Sequence, residues 1–284
     1  MSAGSAGPAA EAVARLTGRG VTASRDIGAI TRLELDDGTT VVAKHGEPSA
    51  VAAEAAGLRW LAAAEAVAVP EVRGEDASWL VAQAVPQGRA TAPSAEAFGR
   101  DLAALHAAGA PAFGAAPPGG PVEAWIGRAP MRNGTGGPDW PTWYAEQRVR
   151  PYLRLAVDRG ALGRDGAAAI EDLCVRLRDL AGPPEPPARL HGDLWTGNVL
   201  WSDDRAWVID PTAHGGHRET DLAMLALFGC PQLERVRSAY DEAAPLADGW
   251  RDRVALHQLF PLLVHAALFG GGYGSRAVRA ATRG

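Results

Sequence analysis

Asp193, Asn198 and Asp210 have the strongest claim to chemistry in this chain, because their types and spacing place oxygen ligands at one point. They lie in RLHGDLWTGNVLWSDDRAWVIDP, residues 189–211. VLW and AWVID are branched or aromatic runs separated by Ser202-Asp203-Asp204-Arg205, which reads as a β-hairpin. A hairpin brings its ends together, so Asn198 entering one strand and Asp210 leaving the other become neighbours. Asp193 sits on the loop just before. Such a set suits a hard cation such as Mg²⁺, which takes one or two carboxylates together with substrate phosphates. Taken singly, HGD could be only a tight turn and Asn198 a strand-edge cap; the three residues together fit a site better.

Phosphoryl transfer needs a metal to neutralise developing charge and a carboxylate to orient or deprotonate the attacking hydroxyl. An Asp, an Asn five residues on and an Asp after a hairpin match the catalytic loop of kinases in order and spacing. By that analogy Asp193 is the base, and Asn198 and Asp210 hold the metal. A kinase also needs a cation on its third strand, steadied by a helix glutamate. Lys44 ends the third β-type run, TTVVAK, and Glu54 follows ten residues later in a helix. A lysine at a strand end is ordinarily solvated, but this chain has very few lysines and otherwise uses arginine. No GxGxxG precedes Lys44. The segment RDIGAIT, with Gly28, is left to cover phosphates through the backbone amides of residues 27–30.

The elements that must position these residues follow from local pattern. A short helix is expected over residues 10–18, closed by Gly18 and Gly20. GVTAS, ITRLEL and TTVVAK read as strands, the last two joined by Asp36-Asp37-Gly38, a hairpin signal. Pro48 opens a helix to about Ala66, with Val51, Ala55, Leu58 and Leu61 on one face. PEVRG and SWLVAQAV are further strands. From Pro93 the character turns helical, beginning with PSAEAFGRDLAALHAAG. Residues 110–141 are rich in Pro and Gly yet carry Trp125, Met131, Asn133, Asp139 and Trp140, which favours a packed functional loop over a linker. Helices are expected at about 142–159 and 165–180, then the linker GPPEPP, then helices from 220 onward. The fold class expected is α+β and bilobal, with a β-rich lobe over residues 1–85 and a larger helical lobe over 86–284.

Composition sets limits. A chain of 284 residues with 47% hydrophobic content can bury a sizeable core. A net charge of −5 without a basic stripe argues against a nucleic-acid partner. Cys174 and Cys230 are too few for a disulfide framework or a zinc site and read as small buried hydrophobes. No signal peptide and no run of about 20 apolar residues is visible, so a cytoplasmic protein with no membrane partner is expected.

HGDLWTGNVLW followed by IDPTAHGGHRETDLAMLALFG resembles the fructosamine kinase (ketosamine-3-kinase) family of aminoglycoside-phosphotransferase-like kinases. The resemblance extends over VVAK, AAEAAGLRWL, FGRDLAALH, IGRAPMRNGTGGPDW and LHQLFPLLVHAALFGGGYGS. HGDxxxxN specifies only the wider superfamily, whereas the tryptophan after HGDL, with GHRExDLAM, is specific to fructosamine kinases. The resemblance implies a protein-kinase-like fold, ATP and Mg²⁺ as cofactors, and phosphorylation of the 3-hydroxyl of a ketosamine, either a small molecule or a glycated protein. It implies Asp193 as base, Asn198 and Asp210 as metal ligands, Lys44–Glu54 as the phosphate-positioning pair, and Ala82 to Val85, including Ala84, as the adenine-binding hinge. The phosphate loop lacks the cysteine found in some relatives, which removes any basis for a thiol switch there.

Other residues carry open alternatives. Trp195 could stack on the acceptor sugar or its amine, or anchor the catalytic loop. Trp140 is a candidate second wall of the acceptor site. His191 braces the loop by hydrogen bonding, and His106 is a satisfied core histidine. His217, Arg218, Glu219 and Asp221 tie the following segment to the loop, and His217 is also a candidate substrate contact. A rival reading makes His191, Asp193, Asp210, His214 and His217 a binuclear hydrolase cluster, but it leaves Lys44, Glu54 and Asn198 unexplained. A nucleotide-binding pseudokinase is disfavoured by the intact Lys, Asp, Asn and Asp. Within kinases the alternative acceptor is an aminoglycoside or a choline-like alcohol. A monomer is expected.

Overall fold

The computed structural model describes residues 7–134, 139–202 and 204–283. Residues 135–138 of the IGRAPMRNGTGGPDW segment, and Asp203 of the hairpin turn, lie outside the described residues.

The N-terminal part begins with helix α1 (Pro8–Thr17) and a five-stranded antiparallel sheet in the order β1-β2-β3-β5-β4. Its strands are β1 (Val21–Ile27), β2 (Ile30–Leu35), β3 (Thr40–His45), β4 (Val72–Glu75) and β5 (Trp79–Gln83), with helix α2 (Pro48–Ala62) between β3 and β4. Gly28 and Ala29 close the β1–β2 hairpin between the paired Ile27 and Ile30, and Gly28 takes φ +61°, the left-handed conformation that glycine supplies most readily. Strand β3 alternates as a half-buried strand must: Val41 and Ala43 face α1, so Val42 and Lys44 face the other way. Gly57 lets α2 lie close to the chain after the catalytic hairpin, because an added Cβ would sit 3.2 Å from Pro211 and 3.3 Å from Ala213. That approach carries Glu54, one turn earlier, toward Asp210.

The C-terminal part contains helices α3 (Ala92–Ala107), α4 (Trp140–Tyr144), α5 (Arg150–Asp158), α6 (Arg164–Leu180), α7 (Glu219–Leu227), α8 (Leu233–Ala243), α9 (Trp250–Phe269) and α10 (Tyr273–Thr282). A capping box between Thr91 and Ser94 starts α3. Helix α9 contributes Leu259, Phe260 and Leu263 to a core shared with α5, α6 and α10. A second core joins α3 and α8 to the hairpin of residues 199–208 through Phe98, Leu102, Val208 and Tyr240.

Several local features depart from the sequence reading. Strand β1 runs to Ile27 rather than ending near Ser24, and α2 ends at Ala62 rather than Ala66. The loop expected over 110–141 contains a hairpin, β6 (Glu123–Ile126) with β7 (Ala129–Arg132). A π-helical turn, Ala145–Val149, interrupts the helix expected over 142–159. Strands β8 (Ala188–Leu190), β9 (Val199–Trp201), β10 (Ala206–Val208) and β11 (His214–Gly216) complete the catalytic region, with β9 on β10 and β8 on β11. Among the described residues no helix is long and apolar enough to cross a membrane.

Candidate active site

The loop carrying Asp193 is held from below by one buried carboxylate. Asp221, at the start of α7, accepts hydrogen bonds from the amides of His191 at 2.8 Å and Gly192 at 3.0 Å, and contacts His106 Nε2 at 3.2 Å. Burial works against its charge, but the hydrogen bond and charge of His106, together with His191 and the Gly192 amide, hold it below the usual carboxylate range. Gly192 takes φ +84°, and a Cβ there would meet the Thr212 carbonyl at 2.2 Å, so the turn admits only glycine. His191 Nε2 lies 2.9 Å from the Ile209 carbonyl and its Nδ1 accepts from the Asp193 amide at 3.3 Å. Since the carbonyl can only accept, Nε2 carries the proton. His191 therefore ties the loop to the β10 side of the hairpin, as a brace and not a proton carrier.

The hairpin closes the site from the other side. The Ile209 amide donates to the Asn198 carbonyl at 3.0 Å, which extends the β9–β10 pairing and sets Asp210 beside Asn198. Asn198 is buried and donates through Nδ2 to the Asp193 carbonyl at 2.9 Å and to Asp193 Oδ2 at 3.2 Å. This leaves its Oδ1 as a ligand atom. Asp210 adopts φ +51°, unusual for a non-glycine residue, and is half exposed. Its carboxylate lies 3.4 Å from Lys44 Nζ, which is 2.6 Å from Glu54 Oε2. Burial disfavours the Lys44 charge, yet Glu54 and Asp210 outweigh it and raise its pKa. Burial pushes the Asp193 carboxyl up to about 6, with the charges of Asp210 and Asp221 adding to it and the Asn198 hydrogen bond opposing. The oxygens of Asn198 and Asp210 form a hard, partly anionic donor set beside the lysine, of the kind that would suit a hard cation such as Mg²⁺.

Two cavities meet at these residues. A cleft of about 160 Å³ beneath the sheet is walled by Ile27, Ile30 and Val42 above and Leu200 and Ile209 below, with Ala82, Gln83 and Val85 at its back. A second cleft of about 320 Å³ contains Asp193, Trp195, Asn198, Trp125, Asn133 and Thr212. Lys44, Glu54 and Asp210 line both. The flat, apolar first cleft suits a nucleotide base, and the second, with convergent polar groups, suits the acceptor.

The sequence-predicted residues divide accordingly. Asp193, Asn198, Asp210, Lys44 and Glu54 are brought together, and Ala82 lines the first cleft. Gly28 turns the hairpin whose flanking isoleucines line that cleft. Ala84 does not line the first cleft, where Ala82, Gln83 and Val85 stand instead; its amide donates to the Thr40 carbonyl at 3.1 Å. Trp195 is 38% exposed, with its indole lying over Gly197 and edge-on to Phe228 at 6.0 Å. Leu194, fully buried, anchors the loop in its place.

Trp140 and His217 are corrections. Trp140 is buried, its ring 4.7 Å from both Tyr144 and His257 and 4.9 Å from His217, and neither residue lines the acceptor cleft. Both side chains pack against the His257 ring and line a separate cavity with Phe113, Arg178 and Glu185. His217, Glu219 and His257 form the one group of metal-ligand type among the described residues. Both Glu219 oxygens, however, bond to the Arg253 guanidinium, a fixed cation that takes the place of a metal. The hydrolase cluster is not assembled, since His214 turns its Nδ1 to the Thr212 carbonyl.

Sequence reasoning missed the apolar walls of the first cleft and Thr212 in the second, and it named Trp125 and Asn133 only as marks of a functional loop without giving them a place. Strand alternation around Ile30 and Val42 carried a signal for the former. Within the Pro/Gly-rich run nothing set Asn133 apart from the other four residues noted there.

A cation–glutamate pair at the meeting of a mostly apolar cleft and a second cleft, in contact with an Asp–Asn–Asp set, defines a phosphotransferase of the protein-kinase-like class. The fold agrees. The macrolide 2′-phosphotransferase MphH from Brachybacterium faecium superimposes with a TM-score of 0.60 at 19% identity, over 96% of this chain and 95% of that one. A structure from Thermobifida fusca assigned as a fructosamine-3-kinase matches with a TM-score of 0.92 and 49% identity, over 97% of this chain and 98% of that one. The chloroplastic protein-ribulosamine 3-kinase of Arabidopsis thaliana is 32% identical over 242 residues, 81% of this chain and 71% of that protein. The family model for fructosamine kinase matches residues 35–283. The chain belongs to the fructosamine kinase family.

Proposed function

We propose that this enzyme uses ATP to phosphorylate the 3-hydroxyl of fructosamines or ribulosamines, free or protein-bound. The observation that carries this reading is the acceptor cleft, where an exposed indole, Trp195, stands beside Asp193. An indole face suits a polyol ring or a protonated secondary amine. An aminoglycoside, carrying several positive charges, would call for clustered carboxylates. The acids of the 110–141 segment are spent elsewhere, Glu123 on Arg132 at 3.4 Å and Asp139 on Arg178 at 2.5 Å.

In this reading the nucleotide-binding lobe is residues 1–85 and the acceptor-binding lobe residues 86–284. The adenine lies in the apolar cleft, and Lys44, held by Glu54, grips the phosphates. Asn198 and Asp210 would hold Mg²⁺, which neutralises charge on the phosphates. Asp193 takes the proton of the 3-hydroxyl, while Asn198 fixes the orientation of its carboxylate. The protein acts as a cytoplasmic monomer. Assaying purified enzyme with ATP and Mg²⁺ against a panel of 1-amino-1-deoxyketoses and aminoglycosides tests the proposal. Phosphorylation of the ketosamines with poor aminoglycoside turnover is expected, and the reverse would overturn the acceptor assignment.

A further inference from the structure

Arg148 is a guanidinium without a carboxylate. It is fully buried on the π-helical turn, and no ion pair reaches it among the described residues. Its Nη1 donates to the carbonyls of Arg132 at 3.0 Å and Gln147 at 3.1 Å, and its head lies 4.6 Å from the Trp143 ring. Its remaining polar partner is Asn133 Oδ1, at 3.0 Å from Nη2. A buried charge is costly unless it is well bonded, so so unequal an arrangement calls for a role. π-turns within helices occur often at functional sites.

Arginine has donors and no acceptor, so the Asn133 atom facing it must be the oxygen. That fixes the amide, which at a solitary asparagine could lie either way round. Asn133 itself is 1% exposed, yet it lines the acceptor cleft with Asp193 and Trp195. Its Nδ2 hydrogens have no acceptor among the described residues. Its backbone is fixed as well, the amide donating to the Val122 carbonyl at 2.7 Å.

We infer that Asn133 is a specificity-determining residue of the acceptor cleft, donating through Nδ2 to an oxygen lone pair of the acceptor, and that Arg148 is the positioning residue that sets its orientation. The inference rests on the second cleft being the acceptor site. The amide, backed by a cation, favours the oxygen-rich sugar and repels an ammonium group. The ketosamine therefore lies with its sugar ring toward Asn133 and its amine toward Trp195.

Asn133→Asp separates this role from a structural one. The carboxylate still accepts from Arg148, as an ion pair, but the donor to the cleft is gone. With 1-deoxy-1-(propylamino)fructose as acceptor, we expect Tm to hold or rise, the KM for ATP to stay unchanged, and the KM for acceptor to rise at least about tenfold. Asn133→Ser, too short to reach either Arg148 or the cleft, should raise the acceptor KM likewise with the KM for ATP unchanged, but with a lowered Tm because the Arg148 guanidinium loses its side-chain partner. An acceptor KM within twofold of wild type in both variants would overturn the inference and leave Asn133 as a partner of Arg148 alone. A side-chain amide resonance that is lost in Asn133→Asp should also shift in wild-type protein on adding the acceptor and not on adding ADP; no shift would overturn the inference independently. Failure of wild-type enzyme to use the ketosamine would instead count against the proposed function. The variants would then be assayed with whichever hydroxyl acceptor of the panel the wild type phosphorylates.

Discussion

The two clefts are built on different principles. The nucleotide cleft takes its walls from regular structure: Ile30 and Val42 on paired strands, and Leu200 from β9 with Ile209 just beyond β10. Its shape follows from strand register, and its chemistry is apolar. The acceptor cleft takes its walls from helix α2, the β6–β7 hairpin with Trp125 in β6 and Asn133 just beyond β7, and the separate loops that carry Trp195 and Thr212. Backbone hydrogen bonds and two special glycines, Gly192 and Gly197, set its shape. The first cleft tolerates interchange of aliphatic residues of similar size, whereas the second depends on particular groups at particular places.

Substitutions in the Asp–Asn–Asp set should separate the chemical step from nucleotide binding. Asp193→Asn should lower kcat on the order of 10²- to 10⁴-fold with nucleotide affinity nearly unchanged, because the base acts on the acceptor hydroxyl. Near-normal kcat in steady-state assays would remove that assignment. Asp210→Ala and Asn198→Ala should weaken Mg²⁺-dependent ATP binding, with added Mg²⁺ rescuing Asn198→Ala more readily, since the amide contributes no charge. Metal titrations that overlay the wild type for both variants would break the proposed metal set.

A matched pair of truncations sharpens the contrast. Trp195→Ala should raise the ketosamine KM by about 2- to 30-fold, the range of a cation–π contact, and leave the KM for ATP alone. Leu200→Ala, on the floor of the other cleft, should raise the KM for ATP and leave the ketosamine KM alone. If either variant moved both constants equally, the clefts would not be separable.

The smallest effect concerns stability. Burial pushes His214 down to about 3, and lowers His191, His217 and His257 below their ordinary 6.5. Below about pH 6.5 the unfolded chain binds protons that the folded chain refuses. Stability is thus present above that pH and declines as pH falls, by about 1.4 kcal/mol per unit for each such proton. All four lie on the acceptor side. Hydrogen exchange at pH 5.5 against pH 7.5 should therefore quicken around β8, β11 and α7 before it does in the N-terminal sheet. Uniform quickening would contradict this.

What could be read from sequence follows the same division. The Asp–Asn–Asp set was legible because hairpin ends must meet, and Lys44–Glu54 because a strand followed by a helix fixes their relation. Ala84 was misplaced because the turn of the chain beyond β5, and not composition, decides which of residues 82–85 line the cleft. Trp140 and His217 failed because an aromatic near the site in sequence reads the same whether it faces a cleft or a core. Asn133 carries its meaning only through Arg148, fifteen residues away across a π-turn that no periodicity announces.

The hairpin β6–β7 also reaches back to α2, where Trp125 Nε1 donates to Ser49 Oγ at 3.0 Å while the Trp125 carbonyl accepts from Thr212 at 3.2 Å. Ala50 and Ala53, on the same helix as Glu54, form part of the acceptor wall. Helix α2 is thus riveted on the acceptor side. Any shift of α2 that parted Glu54 from Lys44 would carry Ala50 and Ala53 with it, so the ion pair and one wall of the second cleft share a single rigid mount.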